Sequence, residues 1–187
     1  MPVPFRDAED VAELGAAAYL KIETDPDRRV YRGALFFINA RGEPLEFAYG
    51  RVEAPNTFLW RKDDLRRYAS RKLATSLLET ATKAPSLVIC LAEEVPHELF
   101  CIEIHLSVPV CRLASSLKPT PHSSQETEAA VEALGPLHAF WFPGKPPAGS
   151  LEDRLLARLA GHGLLLEPFE RASVGLREVF SDEASAQ

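Results

Sequence analysis

The sequence predicts an α/β or α+β architecture, a mixed sheet of short strands that includes a 30–38/44–50 hairpin and is covered by helices. Three observations point there. Residues 30–49, VYRGALFFINARGEPLEFAY, hold two apolar runs joined by Ala40, Arg41, Gly42 and Glu43. Residues 63–82 place apolar side chains at helical spacing, and residues 86–91, SLVICL, form the short apolar run of an interior strand.

Each element has a local reason. Residues 7–19, DAEDVAELGAAAY, read as a first helix with Val11, Leu14 and Ala18 on one stripe, although 17–19 suit a strand opening at Leu20 equally well. Thr24, Asp25, Pro26 and Asp27 mark a turn. In the hairpin, Gly42 supplies the positive φ of a tight turn, and Pro44 sits at the first residue of the returning strand, where a missing donor costs least. Leu45, Phe47 and Tyr49 then alternate with Glu46 and Ala48. Asp63 and Asp64 favour the start of the helix over 63–82, where acids complement the dipole.

Residues 99–109 alternate Phe100, Ile102, Ile104 and Leu106 against Cys101, Glu103, His105 and Ser107, the pattern of a half-buried strand. Residues 114–124, ASSLKPTPHSS, are polar and proline-broken and read as a linker. A short helix is expected over 125–134 and a strand over 138–142. Ser150 and Asp153 make a capping box for a helix ending before Gly161 and Gly163. A brief strand over 164–166 and a last helix over 169–180 complete the chain. The expected organisation is a hairpin-containing core over 1–113, the linker, and a helical-strand segment over 125–187 that can pack into the same domain. The strand, glycine turn and second strand resemble the roadblock and profilin-like folds at the level of fold, and that resemblance implies no function.

Composition narrows the function. With 187 residues and 46% hydrophobic residues, the chain can bury a core. No apolar run reaches the roughly 20 residues that span a bilayer, so no membrane partner is expected. The acidic start, MPVPFRDAEDVAELG, lacks the pattern of a signal peptide, and a cytoplasmic location follows as the expectation. Three cysteines are too few for a disulfide scaffold. An excess of arginine over lysine, with 15 prolines, suits a GC-rich or thermophilic source. The net charge is -6, but residues 51–83 carry eight bases against four acids.

Four groups of residues can carry chemistry or contacts. Strand alternation would put Cys101, Glu103 and His105 on one face, with Cys90 and Cys111 within reach. Thiolates and imidazole of that kind bind zinc, so Cys90, Cys101, His105 and Cys111 are the metal candidates and Cys101, Glu103 and His105 the catalytic ones. The bland alternative is that these are structural residues, and no cofactor is then expected. Glu46 and Glu53 are a possible carboxylate pair, or else part of a solvated strand face. Arg66, Arg67, Arg71 and Lys72 form a basic cluster that can meet phosphates, a protein, or water alone. Trp141 and Phe142, beside Pro143, Gly144, Lys145, Pro146 and Pro147, offer a rigid contact surface or a core contribution.

Phosphate-loop, zinc-protease, esterase and dithiol motifs are absent. The leading expectation is therefore a non-catalytic protein-interaction or accessory subunit, its partner being another protein or a second copy of the chain. A metal-assisted hydrolase with a Cys/Glu/His cluster is one alternative. A nucleic-acid-processing factor using the basic helix is the other, disfavoured by net acidity.

Overall fold

The computed structural model describes residues 2–4, 11–25, 29–55, 58–133 and 135–181. Seven strands form one sheet: β1 (Ala16–Asp25), β2 (Val30–Asn39), β3 (Pro44–Glu53), β4 (Leu87–Leu91), β5 (Val110–Ser115), β6 (Thr127–Ala133) and β7 (Gly135–Phe142). Their order across the sheet is β3-β2-β1-β4-β5-β7-β6. β1, β4 and β5 run parallel, and the other pairings are antiparallel. Strands on either side of residues 114–124 thus share one sheet. Helices α1 (Lys62–Thr80), α2 (Leu151–Gly161) and α3 (Glu167–Val179) cover it. The expected mixed sheet covered by helices is what the chain forms.

The two faces of the sheet bury separate cores. Tyr19, Phe36, Ile89, Leu113 and Trp141 pack against Leu155 and Leu159 of α2 and Phe169 and Leu176 of α3. On the opposite face Leu20, Leu35, Phe37, Val88 and Cys90 pack against Leu73 and Leu77 of α1. This explains the apolar character of β2 and β4 on both faces: both are covered.

Local chemistry sets the hairpin. Gly42 adopts φ +81°. The Asn39 side-chain oxygen accepts from the backbone N–H of Arg41 and of Glu43, both at 3.0 Å, which closes the turn. A bulge between Phe37 and Ile38 brings Ile38 opposite Pro44. Gly33 allows α1 to lie close: a Cβ there would come within 2.7 Å of a Leu73 methyl.

The capping signal at α2 also holds. Asp153 N–H donates to Ser150 Oγ at 3.2 Å, while the Asp153 carboxylate accepts from Gly149 N–H at 2.8 Å. Ser150→Ala should therefore cost about 1 kcal/mol, readable as a shift of the urea midpoint with an unchanged slope.

Four expectations change. The helix expected over 7–19 is replaced, from residue 11 onward, by a 3-10 turn at Ala12–Leu14 and by β1; residues 7–10 lie outside the described ones. Alanine favours helix locally, but Ala17 and Ala18 are fully buried, one on each face of β1, whose backbone pairs with β2 on one side and β4 on the other. The helix expected over 125–134 gives way to β6 at Thr127–Ala133, paired with β7 along its length; residue 134 lies outside the described ones. The strand expected over 99–109 is a π-helical turn at Leu99–Glu103 followed by an irregular segment, and the strand is β5 instead. Residues 164–166 form a turn.

Candidate functional site

The three parallel strands place their carboxyl ends on one rim of the sheet, where open α/β folds present their ligand crevices. Lys21 lies in β1 just past the stretch Ala17–Leu20 that pairs with β4, and Glu93 and Glu94 lie in the turn after β4. Lys21 pairs with Glu94. The other Glu94 oxygen accepts from Ile22 N–H at 3.3 Å. Both side chains are mostly buried, with 13% and 15% of their surface exposed. Burial raises the Glu94 carboxyl above its ordinary range, against the opposing pull of the Lys21 ammonium. From the other side, Arg66 of α1 donates to the Glu93 carbonyl at 3.0 Å. The turn after β4 is therefore pinned by a cation on each flank.

This turn lies between two hollows. The one towards α3 has a volume of about 510 Å³ and is walled by Leu91, Leu113, Leu137, Leu166 and Phe169, with Lys21 at its base. The one towards α1 has a volume of about 660 Å³ and is lined by Thr24, Tyr31, Trp60, Lys62, Leu65 and Arg66 among others. Beside it the chain exposes apolar side chains: Phe58 is 96% and Leu59 79% accessible. Trp60 leans on Tyr68 with ring centres 5.1 Å apart.

The candidates drawn from sequence do not meet. Loss of the 99–109 strand removes the alternation that would align Cys101, Glu103 and His105. Cys101 is buried, His105 is exposed, and Glu103 turns to α1, where it binds Arg67 at 2.8 Å and lies 3.7 Å from Arg71. Cys90 and Cys111 belong to opposite faces of the sheet. Burial pushes the Cys90 thiol up to about 12, and those of Cys101 and Cys111 upward as well, so none is an activated nucleophile. Among the described residues no group of three or more His, Cys, Asp or Glu could hold a metal ion.

The basic helix is only partly available. Arg66 holds the β4 turn, Arg67 and Arg71 are engaged by Glu103, and Lys72 lies over the Tyr68 ring at 5.8 Å. Trp141 is 1% exposed in the core of the α2–α3 face, and Phe142 packs, partly buried, on the other core. Glu46 fastens the segment that follows α1 by accepting from the backbone N–H of Thr82 and Lys83, which lowers its carboxyl below the usual range. Glu53 binds Arg51 instead.

Sequence reasoning passed over Lys21, Glu93, Glu94 and the exposed pair Phe58 and Leu59. For Lys21 one signal was available: a lone charge inside the apolar run of a strand buried on both faces.

No family model and no curated protein matches the chain. Solved structures do. The endonuclease V of Streptomyces avermitilis superposes with a TM-score of 0.61 at 16% identity, covering 92% of this chain and 83% of its own. The endonuclease V of Bacillus subtilis gives 0.54 at 11% identity, with 92% and 82% covered. The chain is similar in fold to endonuclease V.

That likeness overturns the expectation of a non-catalytic protein-interaction or accessory subunit. The shared architecture is that of two proteins named endonuclease V. It corrects as well the expectation that net acidity disfavours nucleic acid. Net charge sums over a whole surface, whereas a polyanion meets a local distribution. Here the bases gather between residues 51 and 83. No described helix is long and apolar enough to cross a membrane.

Proposed function

We propose that the chain is a nucleic-acid-processing protein that grips its substrate at the start of α1. The observation that carries this reading is the exposed Phe58 and Leu59, followed directly by Trp60, Arg61 and Lys62, on the rim where the parallel strands end. Apolar and aromatic side chains beside cations suit unstacked bases on a charged backbone: bases stack on the rings while phosphates meet the bases of the helix. The fold likeness to endonuclease V supports the same reading. A cytoplasmic setting belongs to the proposal, since three free, buried cysteines suit a reducing compartment.

Fluorescence anisotropy with a labelled single-stranded oligonucleotide tests it. Replacing Phe58 and Leu59 together by alanine should weaken binding by roughly tenfold or more, because each stacked base contributes about 1–3 kcal/mol. Lys62→Glu should weaken binding and flatten its salt dependence between about 50 and 200 mM. Arg67→Glu should change affinity far less, because Glu103 already engages that guanidinium. Equal affinity across all the variants, or no binding at low salt, would refute the proposal.

A further inference from the structure

We infer that the hollow between the rim and α3 binds a small apolar molecule carrying a carboxylate or similar anionic head. This is independent of the nucleic-acid reading, which rests on the other side of the rim. A volume of about 510 Å³ falls within the roughly 300–1,000 Å³ of small-molecule sites, and an apolar lining with few polar groups is their usual character. Leu91, Leu113, Leu137, Leu166 and Phe169 form that lining.

The polar group that selects the ligand is Lys21. An ammonium has three donors. Among the described residues that of Lys21 donates to Glu94 alone, although only 13% of its side chain is accessible. Donors left over in a sheltered site favour an oxygen acceptor, and a charged oxygen most. Lys118, exposed at the mouth, adds a second cation. Glu93 and Glu170 also line the hollow but are exposed, so solvent screens their repulsion. An apolar body against the leucines with its anion on Lys21 completes both the burial and the hydrogen bonding.

The wall formed by Lys118, Pro119, Thr120 and Pro121 is held in place from behind. Arg112 of β5 donates to the Pro121 carbonyl at 3.3 Å and binds Glu126 at the far end of the loop. One wall of the hollow is thus a loop that a buried contact tethers to the sheet.

Two naphthalene dyes test the inference on the full chain. Anilinonaphthalene sulfonate carries an anion, and N-phenyl-1-naphthylamine has the same rings without one. The expected result is one saturable site per chain, with the sulfonate bound roughly tenfold more tightly than the neutral dye. Lys21→Met should erase that preference while the neutral dye still binds. Should Lys21→Met misfold by stranding Glu94, the double replacement Lys21→Met with Glu94→Leu removes both charges and reads the same preference. Ala92→Trp, which fills the hollow, should abolish binding of both dyes, with folding checked by circular dichroism. Replacing Phe58 and Leu59 by serine should leave dye binding unchanged. The inference is overturned if the signal follows Phe58 and Leu59, if it survives Ala92→Trp, if the sulfonate preference survives loss of Lys21, or if no saturable site exists.

Discussion

Glu126→Ala is expected to remove about 3–5 kcal/mol of unfolding free energy, a loss large against the stability of a domain this size. Arg112 Nη1 reaches both Glu126 oxygens, at 2.7 and 2.9 Å, with 3% and 0% of the two side chains exposed. Nε donates to the Val95 carbonyl at 3.0 Å, and the guanidinium lies 5.9 Å from the centre of the Phe140 ring. Glu126 also accepts from Ser123 N–H at 2.9 Å, so the pair closes the loop before β6. Deleting the carboxylate strands a buried cation, and that penalty rather than the attraction itself sets the magnitude. Pairing Glu126→Leu with Arg112→Met should restore most of the loss, because apolar residues of similar size avoid the desolvation cost. Urea unfolding of the two variants decides it. A cost below about 1 kcal/mol for the single change would mean that water reaches the pair.

Trp141→Ala should be comparably severe, at about 3–5 kcal/mol. Its side chain is 1% exposed, on β7 opposite Cys111 of β5 and Thr127 of β6, within the core closed by α2 and α3. Truncation leaves a cavity between the sheet and those helices that neighbouring strands cannot collapse to fill. Trp141→Phe should lose less, since a smaller void remains. At a temperature where the alanine variant is still folded, its affinity for single-stranded oligonucleotide should equal that of the parent chain. A selective loss of affinity with normal stability would make Trp141 a contact residue after all.

The contrast between Trp141 and Phe58 shows which site information is local. Both stand in aromatic dipeptide or tripeptide clusters near proline, and for WFPGKPP the sequence leaves a contact surface and a core contribution both open. β7 instead lies between β5 and β6, so Trp141 is covered, while Phe58 precedes α1 at an open corner of the rim. Exposure depends on which strands become neighbours, and a linear pattern does not record that. The Cys101, Glu103 and His105 set fails for a related reason. Alternation of apolar and polar residues predicts a common face only if the backbone is extended, and a π-helical turn carries Cys101 and Glu103 out of that geometry.

Features that act over a few residues were legible along the chain. Gly42 turns the hairpin, Ser150 with Asp153 starts α2, and apolar spacing with Asp63 and Asp64 at its head produces α1. These rest on backbone conformation and hydrogen bonds that neighbours in sequence supply. Long-range packing made β1 and β6 strands, because pairing along a whole strand outweighs the helix preference of alanine and glutamate. It alone brought Lys21 to Glu94 across a separation of 73 positions, and Arg66 to Glu93 across 27. The parallel arrangement of β1, β4 and β5 requires crossovers that return distant segments to one rim. A site built from strand ends is therefore assembled by topology, and no short stretch of this chain contains it.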